Sequence, residues 1–251
     1  DVCSPDLSGR LDDCGGRMFL AMELVRGPTL ADLISMHGPL PIDDASMYMR
    51  DVARALRDLH QSGVVHRDVK PENVIVREDD VAKVLDFGIA RRRSFDPELT
   101  YPERKDAEKI HNLTGGGSIA GTPRYMAPEQ IGRLSPDGRT DQFAWGVVAY
   151  EVLSGRNPWP QGDDLYGLFY AIVHEGVPPL GRVRADVPEA VSAIVARAMS
   201  KLRDERFASM KELCASLGAA MEGVLGAARV STPGGLAIRS ERSSSEMPTL
   251  Q

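Results

Sequence analysis

Cysteine is scarce in this chain. Its three, Cys3, Cys14 and Cys214, are odd in number and have no metal-ligand spacing. That excludes a disulfide framework and a cysteine-based zinc site, and the expected setting is reduced and cytoplasmic. No apolar run reaches about 18 residues, so no segment reads as membrane-spanning. The most apolar stretch, Phe143 to Leu153, is too short and carries Glu151; it reads as a buried core helix. Lysine is sparse as well, six of the 30 basic residues. The bases are not massed on one segment and the net charge is -6, so nucleic acid is excluded as an expected partner. There is no internal repeat and no phosphate-cradling G-x-G-x-x-G. Gly15-Gly16 reads as a hairpin turn. No signal peptide is evident, and the chain begins with Asp1 rather than Met, so a fragment or processed product is expected.

What is present is an ordinary globular composition, 42% hydrophobic and 26% charged over 251 residues, enough for one large domain. Its chemistry is concentrated in one stretch. His66-Arg67-Asp68-Val69-Lys70-Pro71-Glu72-Asn73 is followed by a short apolar strand, Val74-Ile75-Val76. A second strand, Val84-Leu85, then delivers Asp86-Phe87-Gly88. Loops held at strand ends are where reactive groups are usually placed. Asp86 and Asn73 are oxygen ligands suited to Mg²⁺ and its phosphates. Asp68 is placed to take a hydroxyl proton, and Lys70 to neutralise a transferring phosphoryl group. Those parts match phosphoryl transfer.

The octet, the Asp-Phe-Gly and the later Gly121-Thr122-Pro123-Arg124-Tyr125-Met126-Ala127-Pro128-Glu129 together resemble the catalytic, metal and substrate loops of eukaryotic-type protein kinases. Lys70, two residues after the acid, is the serine/threonine form. Met126 to Gln130 and the low lysine share resemble bacterial members. The resemblance covers roughly residues 17–221. It implies an α+β, protein-kinase-like fold: a mainly helical C-terminal lobe with a remnant of the N-lobe β-sheet. The implied division is an N-lobe remnant over 1–25, the C-lobe over 26–221, and a disordered tail over 222–251. Implied cofactors are ATP and Mg²⁺, and the implied partners are protein substrates.

Roles follow by resemblance. Asp68 and Lys70 are catalytic, and Asn73 and Asp86 bind the metal. Met22 is the gatekeeper, backbone groups of Glu23 and Val25 bond adenine, and Leu30 and Ile75 line its pocket. For Leu30 ordinary core is the alternative. Arg67 pairs with a phosphorylated residue of the long polar segment 89–121, with Thr114 and Ser118 as the candidates. Thr122 bonds Asp68 and Lys70. Glu129 pairs with Arg206, and Asp141 ties its helix to the backbone near His66-Arg67, although a plain helix cap would suit Asp141 equally. Arg203 stands where the family more often has Pro.

One departure matters more. The family holds the ATP phosphates with a lysine oriented by a glutamate, both before the hinge. Here Lys70 is the first lysine and Glu23 the first glutamate. The chain is therefore expected to be an inactive piece of a kinase. The rival reading is a non-catalytic interaction module.

Local patterns predict the scaffold. Residues 1–16 read as loop and Arg17 to Val25 as a strand. Thr29 to Met36 reads as a short helix capped by Thr29. Asp43 to Gln61 is a longer helix, with Ala45, Met49, Val52, Leu56 and Leu59 on one face. Leu165 to His174, Pro188 to Met199 and Ser209 to Met221 read as further helices. His60 and His174 read as solvated or capping residues.

Overall fold

The computed structural model describes residues 10–14, 17–21, 23–85, 123–132, 134–160 and 164–231, with side chains described from 23 to 221 within these ranges. The chain starts with an antiparallel pair, β1 (Arg10–Cys14) and β2 (Arg17–Ala21). Cys14 pairs with Arg17, which leaves only Gly15 and Gly16 between the strands; their own conformation lies outside the described residues. β1 falls in the stretch expected to be loop. Its sequence, Arg-Leu-Asp-Asp-Cys, has no apolar alternation, and the strand exists by pairing with β2 rather than by its own pattern. β2 stops at Ala21, short of the expected Val25.

The helical part begins with α1 (Leu30–His37). The Thr29 hydroxyl accepts from the Asp32 amide, and the Asp32 carboxylate accepts from the Thr29 amide, a reciprocal cap. α2 (Ile42–Gln61) follows, with Asp43 and Asp44 in its first turn as the helix dipole favours. Ala45, Met49, Val52 and Leu56 are buried as one stripe, and Leu59 at its end is half-buried. β3 (Val74–Val76) and β4 (Ala82–Val84) then form an antiparallel hairpin. A bridge from Thr29 to Ile75 fastens the start of α1 to it.

After the short α3 (Pro128–Ile131) comes α4 (Gly138–Ser154), the centre of the core. Asp137 caps it by accepting from the Arg139 amide, and Gly155 ends it in the left-handed region. From Thr140 to Leu153 every residue except Glu151 is buried. The Trp145 indole donates to the Met49 carbonyl of α2 at 2.9 Å. α5 (Leu165–His174), α6 (Leu180–Val183), α7 (Glu189–Ala198) and α8 (Met210–Ser231) pack around these. α7 approaches α4 closely at Gly146, where a methyl group would lie 2.6 Å from Met199 Cγ. α8 continues to Ser231, beyond the residue-222 boundary expected for the tail. Its Leu, Ala and Arg residues favour helix there despite two glycines. His174 is exposed at the end of α5, its ring tilted 44° against that of Tyr170.

Gly27 joins the leading segment to β3. Its φ is +145°, and a methyl group there would sit 2.0 Å from the Val76 carbonyl oxygen. Immediately after it, Val76 N–H donates to the Pro28 carbonyl at 2.9 Å. Backbone strain and overpacking each cost about 1–3 kcal/mol. Gly27→Ala is therefore expected to destabilise by about 2–4 kcal/mol in urea denaturation, and an unchanged midpoint would refute the close approach.

Candidate active site

The loop 66–73 is built by the β3–β4 hairpin. Pro71 opens a single 3₁₀ turn, Pro71–Asn73, closed by Asn73 N–H donating to the Lys70 carbonyl. Leu85 N–H donates to the Asn73 carbonyl at 2.8 Å, so the turn is fixed to the far strand. His66 is fully buried and adds a second tie. Its Nε2 donates to the Leu85 carbonyl at 3.0 Å, and its Nδ1 accepts from the Asp68 amide at 3.3 Å. Those two contacts assign the hydrogen to Nε2.

Three of the expected functional residues converge. Lys70 Nζ donates to Asp68 Oδ2 at 3.0 Å. Asn73 Nδ2 donates to the same Oδ2 at 3.2 Å and to the Asp68 carbonyl at 2.9 Å. With its amide nitrogen engaged in this way, Asn73 keeps its oxygen as the atom available to a hard cation. The residues present thus fit a Mg²⁺ ligand at Asn73. Asp86, the other expected ligand, lies outside the described residues, as do Met22, Thr114, Ser118 and Thr122.

Asp141 is buried in α4 and holds this loop from below. Its Oδ2 accepts from the His66 amide and its Oδ1 from the Arg67 amide, each at 2.8 Å. Arg67 needs that support because its φ is +66°, a left-handed conformation that costs a side-chain-bearing residue about 1–2 kcal/mol. Asp141 is therefore a loop anchor, and the helix cap is Asp137. His60 is not solvated. Its Nε2 lies 2.7 Å from Asp141 Oδ2, a contact between residues 81 positions apart that no local pattern announces. The Arg67 side chain is exposed on the loop surface.

The expected Glu129–Arg206 pair is present, buried and bidentate, at 2.8 and 2.9 Å. Burial pushes the Glu129 carboxyl up, but the Arg206 hydrogen bonds and charge more than reverse this, and it rests below its ordinary value. Arg203 donates to the Ser135 carbonyl at 2.9 Å, so the residue that replaces the family's Pro bridges to the loop before α4. Next to it, Lys201 donates to the Ile172 carbonyl at the end of α5 and lies over the Trp159 ring. Burial pushes its pKa down to about 8. Tyr125 donates to Glu151 Oε2 at 2.7 Å, and Asn157 donates to the same oxygen, which accounts for the acid within the apolar stretch Phe143 to Leu153. Burial and that carboxylate push the Tyr125 hydroxyl pKa up.

At the other end, Glu23 is exposed and pairs with Lys83 of β4 at 2.6 Å, while Val25 and Ile75 are half-buried. Ile75 borders the Gly27 approach. Leu30 is wholly buried in the core.

The profile of the protein kinase domain matches residues 12–215. The chain belongs to the protein kinase family. It is 34% identical to serine/threonine-protein kinase PknB of Mycolicibacterium smegmatis over 205 residues, 82% of this chain and 31% of that protein. It is 35% identical to PknE of Mycobacterium tuberculosis over 206 residues, 82% of this chain and 33% of that one. The chain thus spans about a third of the length of these relatives. Among solved structures, the crystal structure of Rad53 1-466 in complex with AMP-PNP aligns with a TM-score of 0.62 and 21% identity, over 85% of this chain and 50% of that one. That likeness carries the fold. The helical architecture with two small β-hairpins is the expected kinase C-lobe with a remnant of sheet. Among the described residues no helix is long and apolar enough to cross a membrane.

Proposed function

We propose that this domain transfers the γ-phosphoryl group of ATP to serine and threonine hydroxyls of protein substrates, in the cytoplasm. The observation that carries this reading is the convergence of Asp68, Lys70 and Asn73 on one carboxylate oxygen, in a loop clamped from α4. Asp68 orients the substrate hydroxyl and takes its proton. Lys70, 3.0 Å away, neutralises charge building on the transferring group. Asn73 and Asp86 hold Mg²⁺, which when bound offsets phosphate charge. Backbone groups of Glu23 and Val25 hold adenine beside Met22 and Ile75. Arg67 receives a phosphorylated Thr114 or Ser118, and Thr122 steadies Asp68 and Lys70. The AMP-PNP held by the Rad53 structure supports an adenine nucleotide as the ligand class.

The deciding experiment is incubation of the native polypeptide with Mg²⁺, γ-labelled ATP and a protein acceptor. Label recovered as phosphoserine and phosphothreonine is expected. Label on tyrosine alone, or no label with ATP bound, would sink the proposal.

A further inference from the structure

We infer that Lys201 is a positioning residue for the protein substrate, acting through Trp159 on the turn Pro123–Tyr125. The role rests on the reading of Asp68 as the group that meets the substrate hydroxyl. The turn borders the loop that bears Asp68. The charge of Glu72, in that loop, is felt at the Tyr125 hydroxyl. Gln130, in the helix that follows the turn, donates to the Arg67 carbonyl at 3.3 Å. A chain that brings a hydroxyl to Asp68 has to pass this turn with its neighbouring residues. The turn is clasped by residues 159 and 160. The Trp159 indole donates to the Arg124 carbonyl at 2.8 Å, and the Arg124 guanidinium donates back to the Pro160 carbonyl at 2.6 Å. The position of the indole therefore sets the position of the Arg124 backbone.

Lys201 holds the indole. Trp159 is buried, and the ammonium lies over its ring at 4.4 Å from the centroid, close enough for cation–π attraction. The Phe143 ring lies nearly parallel to the indole, with the planes 5° apart and the centroids 6.2 Å apart, and the same ammonium is 6.0 Å from it. A half-buried ammonium needs acceptors for its hydrogens. The Ile172 and Ala171 carbonyls supply them, at 2.6 and 3.3 Å, from the last turn of α5, the helix end that favours a cation. Glu175, just past α5, favours the charge as well, while Arg206 opposes it. The ammonium is thus fixed by α5 and in turn fixes Trp159. A contact that only stabilised the core would not distinguish the protein acceptor from ATP when it is lost.

The test uses the full chain with three substitutions. Lys201→Met keeps an apolar stem without the charge, Lys201→Arg keeps a cation with donors, and Trp159→Phe keeps a ring without the indole donor. The two tryptophans provide an internal control, because Trp145 gives its indole hydrogen to Met49 in the core instead. Lys201→Met is expected to speed exchange of the Trp159 indole hydrogen by about tenfold, read by heteronuclear NMR, while that of Trp145 changes little. Lys201→Arg is expected to recover most of the protection. In phosphotransfer, Lys201→Met and Trp159→Phe are each expected to raise KM for the protein acceptor by about three- to tenfold, the worth of one ordinary hydrogen bond, with KM for ATP in place. Combined, they should raise it little further than either alone, because both act through the same indole. Trp159→Phe decides the matter if Lys201→Met does not fold, and an unchanged KM for the acceptor in that variant would overturn the proposal. So would unchanged exchange at Trp159 in Lys201→Met, or an equal rise at Trp145, which would make Lys201 an ordinary stabilising contact. The exchange readout does not need phosphotransfer, so failure of the kinase reading would show separately, as absent labelling with the exchange pattern intact.

Discussion

Arg206→Met is expected to lower the unfolding free energy by about 3–5 kcal/mol, the cost of leaving one partner of a buried ion pair uncompensated. The guanidinium is fully buried and holds Glu129 with two parallel bonds. It also donates to the carbonyls of Ser200, Arg139 and Lys201, so its loss strands three acceptors in two segments. Thr140 would remain as the one described side-chain donor to Glu129. Coupling is testable in a double substitution. Glu129→Gln alone removes the charge that Arg206 needs, but in the Arg206→Met background it removes the stranded charge and should restore part of the loss. The pH dependence has a definite sign. The Glu129 carboxyl is lower in the folded state than its ordinary value near 4.5. Its contribution to stability is thus complete above that value and disappears as pH falls through the folded-state value. Without Arg206, burial raises the carboxyl instead, and protonation relieves the buried charge. The gap between wild type and Arg206→Met is therefore expected to narrow below about pH 5 in urea titrations. A gap constant with pH would mean that Glu129 is not the stranded group.

The periodic parts of this fold were legible in the sequence. The α2 stripe, the Thr29 cap and the α5 boundaries depend on neighbours within a few residues, and they stand where the pattern places them. The motif residues were legible through resemblance: Glu129 with Arg206, Asp141 with the loop amides, and Asp68 with Lys70 and Asn73. Properties created by distant approach were not legible. His60 has the composition of a solvated helix end, and only the packing of α4 behind the loop brings a carboxylate to it. Gly27 looks like any turn glycine until the Val76 carbonyl arrives against its α-carbon. Strand β1 has a polar sequence and takes its form from β2. Arg203 read as a departure from the family, yet it reaches Ser135, 68 residues away. In each case the deciding partner is remote in sequence, so neither propensity nor spacing carries the information.

Asp68→Asn in the native polypeptide is expected to lower kcat for phosphotransfer by about 10²–10⁴, the usual contribution of a positioned proton acceptor. The fold should tolerate the change. An asparagine has the same shape, its oxygen can accept from Lys70, and the bond from Asn73 to the residue-68 carbonyl does not involve the side chain. His66 would still hold the loop to Leu85, and Asp141 would still hold it to α4. Nucleotide affinity should change little, because the groups assigned to the nucleotide and its metal are elsewhere. A fall in kcat with KM for ATP preserved therefore separates loss of chemistry from loss of binding. Lys70→Met is the informative companion. It keeps the acceptor but removes the cation, so kcat should fall for an electrostatic reason, and Asp68→Asn combined with it should lose less than the product of the two, as expected for groups 3.0 Å apart that act as a unit. Phosphotransfer by Asp68→Asn at near wild-type kcat would remove Asp68 from the chemistry and leave its contacts with Lys70 and Asn73 as structural bonds of the loop.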